Sequence, residues 1–187
     1  MNSEFGTTAW GRGWVRLAAP TTLTRPNPAI PRGLSLARND RVRDLEIAPG
    51  SLTALVDDNS TREVHIALPA WDHCQLDVAR RLLAGTVADN LRDEHEAALT
   101  HAGLCPVPEA ATVTTDCPCT SRTKPCAHVI AVCFEIARRI DERPSTALVL
   151  RGVVHDTRPA TALIPLSLID PVDFYQKPPP GPQRAVR

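Results

Sequence analysis

From Gly33 onward the apolar positions first alternate with polar ones and later recur every three or four residues. Val42, Leu45 and Ile47 lead to Pro49-Gly50, a pair suited to a type II turn, and Leu52 to Val56 lead to the polar run Asp57-Asp58-Asn59-Ser60. Val64, Ile66 and Leu68 then alternate with polar neighbours, so the segment predicts a three-stranded antiparallel meander. His65 falls on the opposite face from Val64 and Ile66 and reads as a solvent-facing strand residue, not a ligand.

Pro69 closes the meander and the period changes. Trp71, Cys74, Val78 and Leu82 form the stripe of an amphipathic helix ending near Gly85, which places Cys74 on a buried face as a small hydrophobe. His73 lies about 100° round that helix from Cys74, so the two are not posed as base and nucleophile. A second helix, from about Ala88 to Ala102, turns Leu91, Ala98, Leu99 and Ala102 inward and Glu94 and Glu96 outward, with Gly103 as its stop. His95 and His101 then belong to its polar surface. A third has Val129, Val132, Cys133, Ile136 and Ile140 at helical spacing and ends at Pro144. Ala111 to Thr115 and Leu148 to Val154 read as short strands.

The two ends of the chain follow neither period. Residues up to about Pro31 are rich in Thr, Pro and Gly and read as coil, with Trp10 and Trp14 the sole sign of packing. Beyond Asp156 come seven prolines, a composition that cannot bury enough surface to offset its ordering entropy. The expected organisation is a Trp- and Arg-bearing segment (1–32), the meander (33–69), a helical segment (70–103), a cysteine-rich region (104–156) and a Pro-rich extended tail (157–187). The fold class is α+β.

Composition narrows the function classes. The 187 residues carry 21 basic and 21 acidic side chains, so a uniformly basic coat for nucleic acid is excluded. The charge is nevertheless blocked: residues 1–43 hold seven Arg against Glu4 and Asp40, 44–116 hold thirteen acids against four Arg, and 117–187 hold ten basic against six acidic residues. No apolar run approaches the roughly 18 residues of a membrane span, and the first residues lack the apolar core of a signal peptide. The expectation is a cytoplasmic chain, with nucleoid association compatible, no membrane partner, and cysteines kept reduced.

The chemistry concentrates in Cys117-Pro118-Cys119-Thr120-Ser121-Arg122-Thr123-Lys124-Pro125-Cys126-Ala127-His128. Three thiolates and an imidazole within twelve residues suit one tetrahedral structural zinc. Pro118 stiffens the Cys-x-Cys turn, and Pro125 suits a helix entry that presents Cys126 and His128 toward one point. The polar loop between the pairs cannot bury three neighbouring thiols, which argues against a core role. A redox role fits less well, since the usual reactive arrangement is Cys-x-x-Cys at a helix start. Catalytic zinc would need an open position and a nearby carboxylate base, which the loop lacks. Cys133, about 10 Å up the helix from Cys126, cannot share that metal, and Cys105 reads as buried or free.

The ordered quartet Cys-x-Cys, loop, Cys-x-His at the start of an amphipathic helix resembles the SWIM zinc finger. Further stretches resemble the stand-alone bacterial SWIM proteins: Trp10-Gly11-Arg12-Gly13-Trp14-Val15, Arg32-Gly33-Leu34-Ser35-Leu36-Ala37-Arg38, Val42-Arg43-Asp44-Leu45-Glu46-Ile47, Leu150-Arg151-Gly152 and Asp170-Pro171-Val172-Asp173-Phe174-Tyr175. Thr120 and Ala127 stand where many relatives have Asp and Lys. The resemblance implies a ββα-like finger over 104–156, zinc ligands Cys117, Cys119, Cys126 and His128, and no catalytic group. It also implies a protein partner, such as a SWI/SNF-type helicase-like ATPase, or DNA.

Two readings follow. In the first, the chain is a zinc-stabilised interaction module that docks through Trp10 and Trp14 or the tail. In the second, it binds nucleic acid directly through Arg122, Lys124, Arg138 and Arg139, with Arg32, Arg38, Arg41 and Arg43 extending the patch. The first is favoured, because Arg122 and Lys124 have the charge of a Cys3His zinc site to compensate and the acidic middle block repels phosphate. No paired carboxylates, phosphate loop or nucleophile and base stand at telling spacing, so neither an enzyme nor a small-molecule substrate is expected.

Overall fold

A computed structural model describes residues 5–19, 26–87 and 90–153. The alternating segment forms β1 (Val42–Ala48), β2 (Ser51–Asp57) and β3 (Thr61–Ala67), and β4 (Thr114–Asp116) adds to them. Together they make one antiparallel sheet in the order β1-β2-β3-β4. Gly50, at φ +76°, supplies the backbone that the tight Pro49-Gly50 turn requires. Leu52, Ala54, Val56, Val64 and Ile66 point to the buried face, while His65 is exposed on the other, as the alternation predicts.

That buried face packs on α5 (Ala127–Glu142), the central element of the fold. Ten of its 16 residues are buried, because the sheet covers one side and α1 (Ala9–Ala18) and α2 (Ile30–Arg38) cover others. A helix walled on several sides carries more apolar positions than one stripe, which is why Ile130, Ala131, Phe134 and Ala137 join the predicted Val129, Val132, Cys133, Ile136 and Ile140.

The N-terminal segment is a correction. Read as coil, it forms α1, with Thr8 as N-cap accepting from the Gly11 N–H at 3.1 Å. Trp10, Trp14 and Ala18 recur every four residues along its buried side. Glycine disfavours a helix interior, but here it permits close approach: a Cβ on Gly11 would lie 2.2 Å from Asp141 Oδ1, and one on Gly33 of α2 would lie 2.5 Å from Ile130 Cγ2. Tertiary packing overrides propensity at both positions.

The middle helices are α3 (His73–Leu82) and α4 (Asp93–His101), each shorter than predicted. On α3 the predicted stripe is out of phase: Ala79 and Leu83 are buried, whereas Cys74 and Leu82 are exposed. Trp71 is buried but precedes the N-cap Asp72, so helical counting from it misplaces the face. On α4 Leu99 is buried but Ala98 and Ala102 are exposed. His101 lies at the surface, while His95 is half-buried, its Nδ1 accepting from the Arg92 N–H at 3.0 Å. Ala110–Thr112 is a single 3-10 turn before β4, a shorter strand than the expected one.

Over its described residues, 148–153, the expected strand Leu148 to Val154 does not form. α6 (Ser145–Leu150) follows Pro144 directly, and its end is tied to the meander by Gly50 N–H to Leu150 O and Trp71 N–H to Arg151 O. The Arg151 guanidinium lies over the Trp71 ring at 5.3 Å. No helix among the described residues is long and apolar enough to cross a membrane. The predicted tail, 157–187, with Asp170 to Tyr175, lies outside the described residues.

Candidate metal centre

Three elements bring the cysteine cluster together. β4 pairs with β3 through Asp116 and His65, which anchors the chain immediately before Cys117. The polar loop then returns to Cys126, the extended N-cap of α5, and His128 follows in its first turn. The finger contributes one strand of its own and borrows its neighbour from the meander, a departure from the ββα-like unit expected over 104–156.

Cys117, Cys119, Cys126 and His128 each offer a ligand atom, and these atoms all lie within 4.8 Å of one another. His128 Nδ1 is 3.6 Å from Cys117 Sγ and 4.0 Å from Cys126 Sγ. Tetrahedral zinc, with bonds of about 2.3 Å to sulfur and 2.0–2.1 Å to nitrogen, sets sulfur and nitrogen about 3.6 Å apart. The quartet therefore fits a closed structural site. Among the described residues it is the one group of His, Cys, Asp and Glu gathered this way.

Burial pushes the Cys117 thiol up to about 12. Burial also acts against Cys119, but the Ser121 N–H and hydrogen bonds with His128, Cys126 and Cys117 outweigh it and lower that thiol to about 6. A bound zinc would supply the positive charge that lets the remaining thiols ionise. Cys133 is also buried, its thiol pushed up to about 12 by burial alone, and takes no part; Cys74 and Cys105 are exposed and lie outside the cluster.

Behind the quartet stand two side chains that spacing does not indicate. His128 Nε2 is 3.2 Å from Asp58 Oδ2, and Arg32 NH2 donates to both Asp58 oxygens at 2.6 and 2.7 Å. Arg32 chiefly, with His128 assisting against burial, holds the Asp58 carboxyl below its usual range. Asp58 reads in sequence as part of a turn and Arg32 as part of a basic patch, and 70 residues separate Asp58 from His128.

The predicted contact residues divide. Arg122 and Lys124 are exposed on the finger loop. Trp10 and Trp14 are each 1% exposed and belong to the core, which removes them as docking anchors; Trp10 Nε1 instead donates to Arg92 O at 3.1 Å. Arg138 and Arg139 both bind the buried Glu135 carboxylate, and Arg138 also reaches Asp40 and Glu142. They sit ten and eleven residues beyond His128 on α5, about 15 Å along the axis, so no single patch joins them to Arg122 and Lys124 through the helix. Arg43 pairs with Asp57.

No known family profile matches the chain, and no solved structure matches it. The uncharacterized protein Rv2102 of Mycobacterium tuberculosis is 30% identical over 137 residues, covering 66% of this chain and 48% of that protein. The chain thus spans about half the length of the relative it matches.

Proposed function

We propose that this chain is a zinc-binding, SWIM-type interaction module without catalytic activity of its own, in which one structural zinc holds the finger against the body of the fold. The observation that carries the reading is the convergence of three cysteine sulfurs and one imidazole nitrogen within 4.8 Å. The ordered Cys-x-Cys and Cys-x-His pairs support the family, and the family suggests a protein partner, with a helicase-like ATPase as the type to try first.

The distribution of cations supports a protein over DNA as ligand. Arg32, Arg43, Arg138 and Arg139 are each engaged with carboxylates of the same fold. Arg122 and Lys124 remain exposed beside the metal ligands, and they are the feature that favours the second reading, direct and weakly sequence-specific nucleic-acid binding.

Metal analysis of the purified full chain, paired with gel-shift titration, tests both parts. One zinc per chain is expected, lost on Cys117→Ser and kept on Cys105→Ser. An absence of zinc would overturn the reading. Sub-micromolar DNA binding at physiological salt, removed by Arg122→Ala with Lys124→Ala while zinc stays bound, would make nucleic acid the ligand. Such binding should also weaken with salt at a log–log slope of about −0.9 per phosphate contact.

A further inference from the structure

His128 presents its two ring nitrogens to different partners. Nδ1 faces the sulfurs of Cys117 and Cys126, while Nε2 faces Asp58 Oδ2 at 3.2 Å. The ring therefore stands between Asp58 and the sulfurs, so Asp58 is not a fifth ligand. A carboxylate at Nε2 requires the proton on that nitrogen, which leaves the Nδ1 lone pair free for a metal.

Asp58 is itself fixed. It sits in the turn between β2 and β3, and one guanidinium nitrogen of Arg32 on α2 donates to both of its oxygens. The His128 side chain is 12% exposed and that of Asp58 18%, so solvent competes weakly for their contact.

We propose that Asp58, held by Arg32, is the positioning residue of the metal centre: it selects the tautomer in which His128 binds zinc through Nδ1. The inference rests on the zinc-site reading and adds residues from α2 and the meander to a site otherwise confined to residues 117–128. Zinc binding thereby draws the β2–β3 turn and α2 into one unit with the start of α5.

The test is competition for zinc between a chromophoric chelator and the full chain, as wild type, Asp58→Ala, Asp58→Asn and Arg32→Gln. Long-range ¹⁵N–¹H spectra of His128 accompany it. Asp58→Ala should weaken zinc about 10- to 100-fold, the usual cost of losing such a partner. Asp58→Asn keeps an acceptor for Nε2–H and should recover most of that loss, and Arg32→Gln should weaken zinc less than Asp58→Ala does. The wild-type spectrum should show a protonated Nε2 and a zinc-bound Nδ1.

If the wild type takes up no zinc, the zinc-site reading itself fails. If it binds zinc and Asp58→Ala binds equally well with the same tautomer, this inference alone is overturned. Asp58→Asn as weak as Asp58→Ala would also overturn it, because the acceptor would then not be what matters. Should Asp58→Ala fail to fold, Asp58→Asn and the wild-type tautomer still decide the question.

Discussion

The two ends of α5 are both fastened, by different chemistry. At its start, Cys126 and His128 converge with Cys117 and Cys119 on a point that suits a metal ion. Near its other end the Asp141 carboxylate accepts from the N–H groups of Gly6, Thr7 and Thr8 and from the Thr8 hydroxyl, at 2.6 to 3.0 Å. On the zinc-site proposal the first clasp is closed by an ion from solution, whereas the other is complete in the chain. Stability contributed by the first should then vary with free zinc, and that of the second should not.

The largest effect should come from removing zinc. With free zinc a thousandfold above its dissociation constant, binding only the folded state adds about 4 kcal/mol. At 2–4 °C per kcal/mol for a chain of this size, that is a midpoint shift of about 8–16 °C. Thermal scans with saturating zinc and with a strong chelator should show it for the wild type and lose it for Cys126→Ser. A chelator-insensitive midpoint would erase the distinction between the two ends.

Next in size is the self-contained clasp. Asp141→Ala leaves the donors of residues 6–8 unpaired and should cost about 2–3 kcal/mol, a midpoint loss of about 4–12 °C, with zinc stoichiometry unchanged. Asp141→Asn should not rescue it, because an amide NH₂ would face N–H donors. Loss of zinc in Asp141→Ala would show that the ends are coupled.

The same contrast explains what the sequence makes legible. The four candidate ligands are readable because they lie within twelve residues as two ordered pairs, Cys-x-Cys and Cys-x-His. β2 and β3 are readable because one face is buried and apolar residues alternate along it, whereas the register of β1 shifts between Arg43 and Glu46. Asp58, Arg32 and Asp141 are not readable in their roles, since their partners lie 70, 26 and 133 residues away and no local period points to them. Glycine and proline hide α1 and α2 for a related reason: Gly11 and Gly33 look like helix breakers until α5 is seen pressed against them.

Gly11→Ala measures that pressure and should have a smaller effect. Alanine gains about 1 kcal/mol of helix propensity, but its Cβ would meet Asp141 Oδ1 at 2.2 Å and Ala137 O at 3.0 Å, and overpacking of this kind costs about 1–3 kcal/mol. A net loss of up to about 2 kcal/mol is expected in chemical denaturation, with zinc retained. A gain in stability would mean that α1 can move off α5, and that the clasp tolerates a wider gap.

The smallest effect belongs to the metal end itself. Arg122 and Lys124 lie within the loop that the ligands enclose, yet both are exposed, and a cation there feels the centre through water. Arg122→Ala with Lys124→Ala should therefore leave folding stability within about 0.5 kcal/mol of wild type and zinc affinity within a few-fold. Chelator competition in low and moderate salt is the sensitive measurement. A larger loss that shrinks as salt rises would assign these cations to balancing the charge of the Cys3His site. Unchanged zinc affinity at both salt levels leaves the pair available for contact with a ligand, so the same double variant that tests nucleic-acid binding can be used without disturbing the metal.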